Sequence, residues 1–85
     1  MATAVPSPTP NPNAMKFTLD RTLPESFNAT SPGAAAGNPF AEELFAVEGV
    51  ASVFGVNDFV TISRAPGADW APIVDAVLVA AERHL

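Results

Sequence analysis

The sequence holds no cysteine, one histidine and only four basic side chains, and each shortage closes off a class of activity. Without a thiol these residues offer no disulfide, no zinc–thiolate site and no thiolate-ligated iron–sulfur cluster. Lys16, Arg21, Arg64 and Arg83 stand against nine carboxylates, for a net charge of −5, and they are scattered singly along the chain. Binding to a phosphate backbone rests on clustered cations, so neither nucleic acid nor an anionic membrane surface is the expected partner. Long apolar runs are missing too. The richest stretch is broken by Pro72, Asp75 and Glu82, short of the roughly 18 residues a membrane span needs. Residues 1–6 have neither the charged start nor the apolar run of a signal peptide, which makes the cytoplasm the expected compartment.

Catalytic constellations are also wanting. There is no Gly-x-Gly-x-x-Gly, no Walker loop and no Gly-x-Ser-x-Gly elbow. The one histidine, His84, stands next to last on a helical pattern, where a frayed, solvated cation that suits the helix dipole is the expectation. Glu42 and Glu43 are neighbours, and neighbours on a helix point about 100° apart, so they read as first-turn dipole partners and not as a convergent acid–base pair. Asn28-Ala29-Thr30 matches a glycosylation acceptor, without a secretion signal to give the match meaning. No enzyme, no resident metal and no cofactor are expected from these residues.

What is present is an ordered series of elements in a chain with room for one core. Prolines at 6, 8, 10 and 12 deny residues 1–13 both helix and central strand, so this segment is expected as a flexible or extended arm leading into a domain over 14–85. Met15, Phe17 and Leu19 alternate with Lys16 and Thr18, the mark of a half-buried strand. Residues 26–30 are a candidate short strand pairing back on it. Asn38-Pro39 opens a helix that runs to about Val47, with Phe40, Leu44 and Val47 on its buried stripe and Gly49 as its stop. Residues 50–64 form two apolar runs around Gly55-Val56-Asn57-Asp58, a hairpin. Asp69 caps a last helix whose Trp70, Ile73, Val74, Val77, Leu78, Ala81 and Leu85 follow a helical repeat. The class is α+β: a two-layer sandwich of a small, mainly antiparallel sheet of three or four strands with two helices on one face.

With a four-residue hairpin loop, Phe54 faces Phe59, Val53 faces Val60 and Ala51 faces Ile62. Val53, Ala51, Val60 and Ile62 then share one face, and Phe54, Phe59, Ser52 and Thr61 share the other. If the helices cover the first face, Phe54 and Phe59 are paired aromatics on an open sheet, a contact surface with Asn57, Asp58 and Thr61 at its rim. Two other arrangements would remove that surface: the proline-rich arm folded over the rings, or a one-residue slip that sends them into the core.

Three segments taken in order carry a resemblance. Pro10-Asn11-Pro12-Asn13-Ala14-Met15-Lys16-Phe17, Pro39-Phe40-Ala41-Glu42-Glu43-Leu44-Phe45, and Gly49-Val50 through Val53-Phe54 to Asn57-Asp58-Phe59-Val60-Thr61-Ile62 are similar to the N-terminal domain of Nfu/NifU-like iron–sulfur cluster scaffold proteins. The likeness runs from about Thr9 to Leu85. In two-domain members this module precedes a second domain whose Cys-x-x-Cys pair holds the cluster, and these residues contain no such pair, which implies a free-standing module. The resemblance implies a non-catalytic protein-binding unit near iron–sulfur cluster assembly or delivery, with a cluster reached only through a partner. A regulatory or small-ligand-binding domain unrelated to clusters is the alternative from a different class.

Overall fold

A computed structural model describes residues 3–23, 26–31 and 33–85. Five strands and two helices follow in the order β1 Ala4–Pro8, β2 Ala14–Leu19, β3 Phe27–Ala29, α1 Pro39–Phe45, β4 Val50–Val56, β5 Phe59–Arg64 and α2 Trp70–His84. The strands form one antiparallel sheet in the spatial order β1-β2-β5-β4-β3. Both helices lie on one face, and the core between the layers is built from Phe17, Val53, Val60 and Ile62 of the sheet and Phe40, Leu44, Ile73 and Val77 of the helices. The two-layer α+β sandwich is as the sequence implies, with five strands in place of three or four.

The fifth strand comes from the proline-rich segment. Asp20 N donates to Thr3 O at 3.2 Å, so Thr3 is a hydrogen-bonded partner of Asp20, and the alternation of antiparallel pairing turns Val5 and Ser7 inward to β2 as well. Pro6 and Pro8 then occupy the outward positions, where a missing N–H costs the ladder nothing. Proline keeps this segment out of the middle of a sheet, but not off its edge.

Residues 27–29 were expected to pair with the first long strand and pair instead with β4 at the opposite edge. There Phe27 packs edge-on against Phe40 of α1, ring centroids 6.2 Å apart. Helix α1 starts as its sequence dictates, Asn38 accepting from Ala41 N with Pro39 in the first turn. It ends at Phe45, with Ala46 as its C-cap, two residues before the expected Val47, which lies half-buried against the core beyond the helix. Asp69 caps α2 by accepting from Ala71 N. On α2 the buried stripe is Ile73, Val77, Ala80 and Ala81, whereas Leu78, expected within it, is exposed. Leu78 stands about 100° round the axis from Val77, at the margin of the stripe, and small alanines fill the side that meets the rest of the core.

Candidate interaction face

Among the described residues no helix covers the other face of the sheet, and the register decides what stands on it. The hairpin turn is two residues, Asn57 and Asp58, so that Val56 pairs with Phe59, Gly55 with Val60, Phe54 with Thr61 and Val53 with Ile62. The four-residue loop inferred from the sequence is therefore corrected: Phe54 opposes Thr61, and Phe59 is its diagonal neighbour. A shift of two residues preserves the faces where a shift of one would exchange them. Val53, Val60 and Ile62 are buried, while Phe54 and Thr61 share the open side with Phe59. Ala51 is the exception. The pairing slips between Val50 and Ser52, and Ala51, expected in the core, stands exposed at this bulge.

Continuing the register across the sheet adds residues from the other strands. Thr18 pairs with Phe59 and with Val5, and Lys16 pairs with Thr61 and with Ser7, which places Val5 and Lys16 on the same side as Phe54. Val5 is 58% exposed and Phe54 38%. The Lys16 ammonium lies over the Phe59 ring, 4.4 Å from its centroid, a cation–π contact at the centre of the face. Neither alternative that would have hidden the two rings holds: the proline-rich segment sits at the far edge beside β2, and the aromatic face is the open one.

Asn57 and Asp58 stand exposed at the end of the hairpin, Asn57 with a positive φ of 54° that an asparagine tolerates. Their carbonyls have a structural use that the sequence did not announce, since Leu23 N donates to Asn57 O at 2.6 Å and Leu19 N to Asp58 O at 2.7 Å. The residues missed by sequence reasoning are Val5, Lys16 and Val56. A signal was available: prolines at 6 and 8 remove the N–H groups of alternate residues and leave those of Val5 and Ser7, which is the pattern of an edge strand.

His84 does not fray. Its Nε2 lies 2.9 Å from Glu43 Oε1, and Arg83 reaches the same oxygen at 3.3 Å, so Glu43 ties the two helices and is not a first-turn dipole partner alone. Glu42 turns back to accept from Gly37 N. Among the described residues no three of His, Asp and Glu converge as a metal would require, and no helix is long and apolar enough to cross a membrane. A hollow of about 510 Å³ between the α1–β4 and β5–α2 connections is open and is lined by backbone, small residues and the carboxylates Glu48 and Asp69.

The family model for the N-terminal part of the scaffold proteins Nfu and NifU matches residues 6–85. The chain belongs to the Nfu/NifU N-terminal family. It is 34% identical over 74 residues to conserved virulence factor C of Staphylococcus aureus, covering 86% of this chain and 20% of that protein. It is 37% identical over 82 residues to a NifU-like protein of Schizosaccharomyces pombe, covering 91% of this chain and 31% of that one. The chain thus spans under a third of the curated relatives it matches. Among solved structures, the crystal structure of protein SAV1430 from Staphylococcus aureus superposes with a TM-score of 0.78 at 30% identity, covering 92% of this chain and 96% of that one. The same staphylococcal protein in solution gives a TM-score of 0.74 at 31% identity. The family match runs from Pro6, within the edge strand β1, to the end of α2.

Proposed function

We propose that this Nfu N-terminal domain is a non-catalytic accessory module that binds a protein of iron–sulfur cluster assembly or delivery through the open face of its sheet. Phe54 and Phe59 are the apolar anchors, with Asn57, Asp58 and Thr61 beside them. The observation that carries this reading is the family match across residues 6–85 in a stretch without a single cysteine. A family of scaffold proteins supports the iron–sulfur context, and the lack of thiols in these residues supports a cluster held by cysteines elsewhere. The domain's contribution is then recognition. Contiguous apolar side chains on an uncovered sheet are a feature that marks protein contacts more often than catalysis.

The test is capture on the immobilised chain from native lysate of its own source, with bound proteins identified by mass and bound iron measured. Retention of iron–sulfur assembly proteins by the wild type, lost with Phe54→Asp, supports the proposal. Retention of unrelated proteins alone, or equal retention by the variant, contradicts it. A saturable thermal shift with a small molecule and no protein partner would favour the regulatory or small-ligand alternative.

A further inference from the structure

We infer that the partner segment seated on the open face is apolar with an embedded carboxylate that meets Lys16, and that it lies across the face of the sheet and not along its β1 edge; this rests on the reading of that face as the docking surface. Lys16 sits on β2 with β1 on one side and β5 on the other. Its ammonium is held over Phe59 at 4.4 Å and pairs with no carboxylate among the described residues. Any occupant that covers Phe54 and Phe59 also covers this ammonium. An ammonium removed from water without an acceptor is strongly unfavourable, so a purely apolar segment would bind poorly here. A segment bringing Asp or Glu turns that penalty into a charge-assisted hydrogen bond.

The distribution of charge points the same way. Six of the nine acidic residues, Glu42, Glu43, Glu48, Asp69, Asp75 and Glu82, belong to the helices and the loops beside them. On the sheet side Asp58 stands at the hairpin turn and Asp20 at the end of β2, where its carboxylate accepts from Thr3 N at 3.0 Å. A carboxylate therefore meets Lys16 at the middle of the open face and a surplus of negative charge over the helical layer, where Arg83 is already paired with Glu43. A second copy of the chain fits less well, since pairing two such faces brings together two ammoniums and two molecules each of net charge −5.

Prolines fix the mode of approach. Pro6 and Pro8 occupy the outward positions of β1 and present no N–H to an added strand. Strand addition there, a common way for a sheet to take up a peptide backbone, keeps an outward donor only at Ala4. On the β1 side of the sheet, recognition is left to side chains across the face.

Selection of random twelve-residue peptides displayed on phage against the biotinylated 85-residue chain tests the inference. The expected result is enrichment of Asp or Glu flanked by Leu, Ile, Val or Phe. A synthetic representative should shift the amide resonances of Lys16, Phe54, Phe59 and Thr61. Lys16→Gln should weaken it at least about tenfold, as for other close charge pairs at a contact. Lys16→Glu should redirect the selection to Lys- or Arg-bearing peptides, and circular dichroism should show both variants folded. Failure to enrich any peptide, enrichment without acidic residues, affinity unchanged by Lys16→Gln, resonance shifts confined to the helices, or a micromolar dimer broken by Phe54→Asp would each overturn it. Capture of iron–sulfur proteins is scored separately. If acidic peptides bind and those proteins do not, the iron–sulfur assignment falls and the chemistry of the face stands; if those proteins bind Lys16→Gln as well as wild type, the reverse holds.

Discussion

A single oxygen of Glu43, half-buried on α1, receives both His84 at 2.9 Å and Arg83 at 3.3 Å from the end of α2. The contact joins residues forty positions apart and fixes how the last turn of α2 lies on the short helix. Arg83 is largely solvated, so the pair is worth little alone. Glu43→Ala should lower stability by roughly 0.5–1 kcal/mol, read as a lower urea midpoint at unchanged slope. A loss above about 3 kcal/mol would show that the helix contact depends on Glu43 far more than an exposed network allows.

Gly55 is buried in β4, and a methyl there would meet the Phe27 ring at 2.6 Å and Leu23 Cδ1 at 3.0 Å. That ring is pinned edge-on against Phe40, which is itself buried, so it cannot swing away freely. Gly55→Ala should therefore cost about 1–3 kcal/mol through overpacking. Equilibrium unfolding checks it, and an unchanged midpoint would mean the ring yields.

Trp70, the only tryptophan, donates from Nε1 to Pro12 O at 3.1 Å and lies under the Arg64 guanidinium, 5.3 Å from the ring centroid. Arg64 in turn donates to Asn13 Oδ1 at 3.2 Å and to Ala68 O at 2.9 Å. The Pro-Asn-Pro-Asn turn is thus latched to the start of α2. Asn13→Ala should cost about 1 kcal/mol and shift tryptophan emission to longer wavelength as water gains the ring. Unaltered emission would place the latch elsewhere.

The legible part of this fold was the part governed by local chemistry. Asn38-Pro39 and Asp69 announced their helices because a cap is set by the residues beside it. Alternation in 14–19 and in the hairpin told which side chains face inward. What the sequence could not settle was pairing between distant segments: Phe27 chose β4 because Phe40 waits beside that edge, and β1 chose β2 because its prolines fit only an outer strand. The same gap explains the site. Phe54, Phe59 and Thr61 could be read from one hairpin, while Val5 and Lys16 join them only through the β1–β2 and β2–β5 pairings. Glu43 and His84 were each read alone, since nothing in sequence brings forty residues together.

The prolines of the edge strand carry a prediction of their own. Replacing Pro6 and Pro8 with valine restores two outward N–H groups and an apolar edge, which should promote edge-to-edge association. Sedimentation or light scattering should show larger species for the double variant at concentrations where the parent is unchanged. Identical behaviour would mean that the edge is protected by other means.

The direct measurement is calorimetric titration of the full chain with purified iron–sulfur scaffold and carrier proteins from the same source, comparing the parent with Phe54→Asp. Phe54 is partly exposed on the open face, so the variant should keep the parent's circular dichroism and lose at most about 1 kcal/mol of stability. The account predicts saturable binding to at least one of these proteins by the parent and a loss of at least about a hundredfold in the variant, as for an aromatic anchor of a contact. A folded Phe54→Asp that binds as tightly as the parent, or a parent that binds none of them, would contradict it.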